Sequence, residues 1–464
     1  MKKLLLLSFS AVSLFLASCG SDDPVNPGPD PTNEIIVTGD ISANTTWSAD
    51  KKYVIKGFVY VTNGATLTIE PGTRIFGDKA TKGTLTVTRG AQINATGTVD
   101  KPIIFTSLQE AGARREGDWG GIILLGKAPV NPSGGEAKIE GGLVPTNTAA
   151  EKDYIWYGGS NATDNSGTLK YVRIEFAGIA YSPDNEINGL TMGGVGSGTT
   201  ISYVQVYRSG DDAFEWFGGT VNCDHLVASY SWDDDFDTDF GFSGNIQFGL
   251  AQRVKTVADQ SGSNAFESDN DANGSTNNPQ TKSVFSNMTI VGPIQGKSAS
   301  GINANFQHGA QIRRNSSQSI YNSIIMGFPL AGLYIDDTKG TATSANATGG
   351  TLNFARNIIA GCPVKLKKST ASFDIDAWVG GQNNQLLDST QQVALVDPFK
   401  FTPALSAQAG RPSFLLGAGS PATTGGSTTG LPSFFQNVAY IGAFDGTTDW
   451  TATWTTWDAE NTVY

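Results

Sequence analysis

The carboxylates of the chain crowd into one stretch, and their spacing is regular. Asp211, Asp212, Phe214, Glu215 and Gly219 recur as Asp233, Asp234, Phe236, Asp237 and Gly241, at an offset of 22. Phe266-Glu267 repeats Phe236-Asp237 after a further 30 residues. Chain stacked at those offsets puts Glu215, Asp237 and Glu267 in one column. Carboxylates about 5 Å apart repel unless a cation or an arginine lies between them, or one is protonated.

Several chemistries suit such a column. Oxygen ligands in this number point to Ca²⁺ as the expected ion, with Asp233, Asp235, Asp237 and Asp239 as ligands. Asp269-Asn270-Asp271-Ala272-Asn273-Gly274 also fits the start of an oxygen-ligand loop, offering Asp269, Asp271 and Asn273. Its twelfth position is Gln280, so it is not a complete EF-hand loop. Acid pairs also serve glycoside hydrolysis, for which Asp211, Asp212, Glu215, Asp237 and Glu267 are the candidate catalytic residues. Arg208, Arg253, Arg313 and Arg314 are available as bases for a Ca²⁺-dependent polysaccharide lyase, though no motif singles one out. Binding without catalysis needs aromatic platforms beside polar groups, and Trp216, Tyr230, Trp232 and Phe242 are placed for it. The alternative for Trp216 is core packing.

Other chemistries lack their residues. Two His exclude a multi-His metal centre. There is no Gly-x-Ser-x-Gly elbow and no phosphate-binding glycine loop. The order Asp211-Asp212, His308-Gly309, Arg313-Arg314 is weakly similar to polygalacturonase-type β-helices. The Asn-x-Asp expected before the acidic pair is absent, and His308 stands far past it; an ordinary polar corner is the simpler reading of His308.

The elements that carry these residues read as strands. Thr66-Leu67-Thr68-Ile69 matches Thr84-Leu85-Thr86-Val87 at an offset of 18, and Ile103–Thr106 is followed by Ile122–Leu125 at 19. Val204 and Val206 match Leu226 and Ala228 at 22. Asn287, Asn322 and Asn357, spaced by 35, each lead into an apolar run. Strand-like units repeating at such periods form a solenoid, with inserted loops at its corners. The expected fold is all-β: one right-handed parallel β-helix over residues 35–464, with Asn ladders at a corner and both ends capped. Residues 35–60 are the expected first cap. Trp450, Trp454 and Trp457 fall in the expected aromatic C-terminal cap, residues 440–464.

Composition agrees. The 464 residues include 56 Gly, and only 16% are charged, which suits turns and a dry stacked interior and argues against helices. A net charge of −12 excludes a nucleic-acid partner. Cys223 and Cys362 read as buried free thiols.

The N-terminus reads as an address. Met1-Lys2-Lys3 and the apolar run Leu4–Leu16 form a signal peptide over residues 1–18. Leu16-Ala17-Ser18-Cys19 resembles the bacterial lipobox, which implies lipid on Cys19 and anchoring rather than spanning. Gly20-Ser21-Asp22-Asp23 resembles the surface-export signal of Bacteroidetes lipoproteins, and Pro24, Pro27, Pro29 and Pro31 mark residues 19–34 as an extended tether.

The segments TLTIEPGTRIFG (66–77), GDWGGIILLG (117–126), YVQVYRSGDDAFEWFGG (203–219), DDDFDTDFGFSG (233–244) and YIGAFDGTTDWTATWTTW (440–457) resemble the right-handed parallel β-helix lipoproteins of Bacteroidetes and marine bacteria. The resemblance covers nearly the whole mature chain and implies fold and location more than activity. The expected protein is therefore an outer-membrane, surface-facing lipoprotein. It binds an extracellular glycan or other polymer, beside an outer-membrane uptake complex. The alternatives are a Ca²⁺-dependent lyase or hydrolase of acidic polysaccharide, and a structural or adhesive surface protein.

Overall fold

The computed structural model describes residues 33–182 and 185–464. The expected signal peptide, Cys19 and residues 19–32 of the expected tether lie outside them, whereas Glu34, expected in the tether, opens the first strand and pairs with Lys52. Twenty-six strands join in one sheet whose pairings are all parallel, wound into a right-handed β-helix. Each coil contributes to three faces. Arg74–Gly77, Ile103–Ser107, Ile324–Met326 and Ile358–Ala360 belong to the first face, and Thr66–Ile69, Gln92–Thr96 and Ser319–Tyr321 to the second. The third face stacks Thr84–Val87, Gly121–Leu125, Leu190–Gly193, Phe214–Phe217, Phe236–Asp239, Phe266–Ser268, His308–Arg313, Ala331–Asp336 and Leu366–Lys368.

Long strands such as Thr200–Tyr207 and Cys223–Ser229 serve two faces, bending at one residue of positive φ. That corner is Tyr171, Tyr203, His225, Phe248, Asn287 and Asn322, with φ from 49° to 61°. The left-handed region costs little for Asn, more for the bulkier residues. Stacking offsets part of that cost: ring centroids lie 4.6 Å apart for Tyr171–Tyr203 and 4.1 Å for Tyr203–His225.

Two details of the repeats differ from expectation. The 18- and 19-residue matches join strands on different faces: Leu67 pairs with Ile93, while Leu85 pairs with Ile122. Every face demands the same in–out alternation, so strands of unlike position look alike. The asparagine ladder is also broken. Ile324 pairs with Ile358, so Asn357 stands beside Ser323, and Arg356 takes the corner below Asn322. Asn287 and Asn322 bond outward, donating to the carbonyls of Tyr440 and Ser427 at 3.2 and 3.0 Å.

The interior is apolar and ordered in stacks, as in Phe214–Phe236–Phe266 with centroids 5.8 and 5.4 Å apart. Trp47 and Tyr53, stacked at 4.8 Å, fill the first coils. The far end is closed by the short helix Ile375–Gly380, which buries Ile375 and Val379 beside Phe373. Residues 440–464 are therefore not the end cap. They belong to a C-terminal segment that runs back along the outer surface of the first face. Trp454 and Trp457 pack there with Tyr207, Val227 and Leu250. Gln252 Nε2 donates to Pro398 O at 2.7 Å, Gln205 Nε2 to Thr456 O at 2.9 Å, and Tyr464 Oη to Glu175 at 2.7 Å.

The third face is half covered. An insert between Leu125 and Gly167 forms a small hairpin and the helix Glu151–Ile155. It seals Ile123, Leu125 and Phe217 beneath Ile139, Ile155 and Tyr157. Where its apolar cover ends, the acidic residues begin. Cys223 and Cys362 are buried free thiols. No helix among the described residues is long and apolar enough to cross a membrane.

Candidate functional site, an acidic cleft on the third face

Strand alternation sets the site. Phe214, Trp216, Phe236 and Phe266 point into the coil, so Glu215, Asp237 and Glu267 between or beside them point out. The register pairs Glu215 with Asp237 and Asp237 with Glu267, one acid per coil. The loops entering these strands add a second column. Asp212 Oδ1 accepts the Asp234 backbone N–H at 2.7 Å; Asp234 Oδ1 in turn accepts that of Asn264. Each side chain thus caps the next coil, and this places Asp211, Asp212, Asp233 and Asp234 against the outer column.

Arg253 holds that corner rigid. It is wholly buried, pairs with Asp235 at 2.9 Å and donates to the carbonyls of Ser231 and Asn264, each at 2.7 Å, and of Asp233. A buried guanidinium so completely bonded fixes backbone on both sides of the acids.

The result is a cavity of about 360 Å³ lined by eight carboxyl groups and only two guanidinium groups. The eight are Glu140, Asp211, Asp212, Glu215, Asp233, Asp234, Asp237 and Glu267; the two are Arg313 and Arg314. Asn188 bridges Glu140 and Glu215 through its amide nitrogen. Arg313 donates to Glu267 and to Asp269, the latter at 2.9 Å, and Arg314 also donates to Asp269. Burial first, and neighbouring negative charge second, raises Asp211, Asp212, Asp234, Glu215 and Asp237 well above the usual carboxylate range. Burial raises Asp233 to about 6 and, against the pull of Arg313, Glu267 to about 7.

The oxygens fit a divalent cation. Three groups converge, Asp211–Asp212–Asp233, Asp212–Glu215–Asp237 and Asp234–Asp237–Glu267, with ligand oxygens within 4.8 Å of one another in each. Oxygens facing each other across Ca²⁺ lie about 5 Å apart at most. Buried polar atoms without a partner flank the same column: Oδ1 of Asn188 and Oγ1 of Thr191. Thr191 is the register neighbour of Glu215.

The structure brings Asp211, Asp212, Glu215, Asp233, Asp237 and Glu267 together, and draws the rest of the expected metal set elsewhere. Asp235 is committed to Arg253. Asp269 is committed to Arg313 and Arg314. Asp271 folds onto its own turn: against burial, which raises its pKa, hydrogen bonds from Ser275 Oγ and from the N–H groups of Asn273 and Ser275, the latter two at 2.9 and 3.2 Å, lower it. The Asp269–Asn273 loop is thus closed on itself. Asp239 lies one outward position beyond Asp237 and accepts the Phe240 N–H. Of the aromatic platforms, Trp216 and Phe242 are stacked at 5.3 Å inside the coil. Tyr230 is sealed between Tyr207 and Phe401. Only Trp232 reaches solvent, at 43% exposure.

Asp234 and Glu140 join the site without having been singled out. Asp234 was legible, because it repeats Asp212 at the same offset of 22 as Glu215 and Asp237. Glu140 comes from the insert, which shares no period with the coils. No curated protein matches the chain significantly. A family model described as a pectate-lyase-like β-helix domain matches residues 39–395. By that match and by its parallel coil, the chain belongs to the pectate-lyase-like β-helix family.

Proposed function

We propose that the protein binds an acidic extracellular polysaccharide through divalent cations, Ca²⁺ foremost, held in the cleft of the third face. The observation that carries this is the imbalance of eight carboxyl groups against two guanidinium groups in one cavity. Cations in the three oxygen groups relieve that repulsion, and their open coordination positions take carboxylates of the polymer. The sequence supports the setting: lipid on Cys19, a tether, and display on the outer face of the outer membrane, beside an uptake complex. Calcium titration by calorimetry tests the reading. Saturable binding is expected, abolished by Asp237→Asn, with retention of polygalacturonate that EDTA removes. Retention unchanged by EDTA sinks it.

An enzyme of the same polymers is the second reading, favoured by Glu267 at about 7, where a general acid operates. Of the arginines that line the cleft, Arg313 is no free base for its lyase form, since Glu267 and Asp269 hold it charged. New reducing ends, or unsaturated products absorbing in the ultraviolet, from an acidic polysaccharide distinguish it from binding.

A further inference from the structure

The two columns that build the cleft change character towards the C-terminal coils. At the corner, the equivalent positions are Asn188, Asp212, Asp234, Asn264 and His308. On the face they are Thr191, Glu215, Asp237, Glu267, Gln311, Tyr334 and Lys367. The face column runs from acids to a lysine.

Hydrogen bonds join the two ends. Asn264 Nδ2 donates to Glu267 Oε2 at 3.1 Å. Asn264 Oδ1 accepts the His308 backbone N–H and lies within 3.1 Å of His308 Nδ1. An amide oxygen only accepts, so Nδ1 carries the hydrogen and Nε2 keeps its lone pair. Lys367 Nζ, which only donates, lies 3.1 Å from that Nε2. Lys367 Nζ also sits 4.1 Å from the centroid of the Tyr334 ring, whose other neighbour is His308 at 5.0 Å. Burial and the Lys367 charge hold His308 down at about 3, so the imidazole stays neutral.

Lys367 therefore differs from its neighbours. Lys365 is paired with Asp388 at 3.0 Å, and Lys368 donates to the carbonyls of Ala371 and Phe373. Among the described residues no carboxylate forms an ion pair with Lys367. A neutral imidazole and an aromatic face orient its ammonium group without cancelling its charge, and the side chain is part-exposed.

We propose that Lys367, positioned by His308 and Tyr334, is an anion subsite on the third face, three coils beyond the C-terminal end of the cleft. It takes an acidic group of a polysaccharide whose other acidic groups sit on the cations. This rests on the cation reading above. Three coil steps separate Glu267 from Lys367, about 14 Å at about 4.8 Å per step, so only an oligomer that spans that distance engages both ends. The cation end selects oxygen ligands, whereas the ammonium end takes carboxylate or sulfate.

Calorimetry of the whole protein tests it, with K367Q, K367R and H308Q as variants. The probes are Ca²⁺ alone, polygalacturonate, a uronate dimer, dextran sulfate and neutral dextran. Ca²⁺ is expected to bind all variants alike. K367Q should weaken polygalacturonate about tenfold, the scale of one charge-assisted contact. K367R should recover most of that, and H308Q should lose part of it. The dimer should not respond to K367Q. Dextran sulfate responding with polygalacturonate makes the subsite a general anion site, and polygalacturonate alone makes it a carboxylate site. Wild-type affinity in K367Q, with Asp237→Asn still losing Ca²⁺, overturns the subsite alone. Failure of the wild type to bind Ca²⁺ overturns the cation reading instead.

Discussion

Two sets of buried carboxylates lie outside the coil interior, one beneath the C-terminal segment and one in the cleft of the third face. Beneath the segment, three acids are paired with two arginines. Arg208 bonds Glu116 and Glu460, and Glu460 also accepts from Tyr207 at 2.8 Å and Thr402 at 3.0 Å. Glu175 faces Arg173 at 3.0 Å and accepts from Tyr464. In the cleft, eight carboxyl groups share Arg313 and Arg314, which are themselves bound to Asp269 as well. The same fold thus buries acid in a satisfied and an unsatisfied way. Burial alone does not mark a site; the surplus of like charge does.

Substitution should act with opposite sign in the two regions. Arg208→Ala leaves Glu460 and Glu116 buried without a counter-charge and should destabilise the fold by about 3–5 kcal/mol, read as a large drop in melting temperature. It should also loosen the C-terminal segment, read as faster amide exchange across residues 395–464. An unchanged melting temperature would remove the distinction between the regions.

Asp237→Asn should do the reverse in metal-free protein. It removes one charge from a repelling set, so the metal-free melting temperature should rise. The effect depends on pH with a definite sign. The cleft carboxyls have folded-state pKa values above their unfolded ones, so they bind protons more readily when folded. Their stabilising contribution is complete below about pH 4. It is lost as pH rises through about 6 for Asp233 and about 7 for Glu267. Metal-free wild type should therefore melt lower at pH 8 than at pH 5, and Asp237→Asn should gain most at pH 8. Saturating Ca²⁺ should flatten the wild-type profile, since a ligand at 100 times its Kd adds about 2.7 kcal/mol. A metal-free profile rising with pH would sink the account of the cleft.

The contrast between regions also governs what the sequence could tell. The Glu215–Asp237–Glu267 column was legible because insertions fall at corners and leave each Phe-acid pair in strand register. The partners of the acids were not legible. Arg208 meets Glu460 across 252 residues, through a segment that carries no repeat. Glu140 enters from an insert for the same reason. The aromatic expectation failed on a point the sequence did contain. Trp216 follows Glu215 directly, so strand alternation sends it to the opposite side, into the coil. Phe242 follows it there by stacking.

Trp232 provides the smallest and most selective measure of the cleft. It stands beside Asp233, exposes 43% of its surface, and its backbone rather than its ring is held, accepting from Ser263 Oγ at 2.6 Å. Trp232→Ala should change stability by no more than about 0.5 kcal/mol, as surface substitutions do. If sugar rings pack beside the cation cluster, the same change should weaken polygalacturonate retention about threefold to tenfold, on the scale of an exposed aromatic contact. Ca²⁺ binding should be untouched. A loss of Ca²⁺ affinity would mean that the ring shapes the Asp233 loop, and unchanged retention would confine the contact surface to the acids themselves.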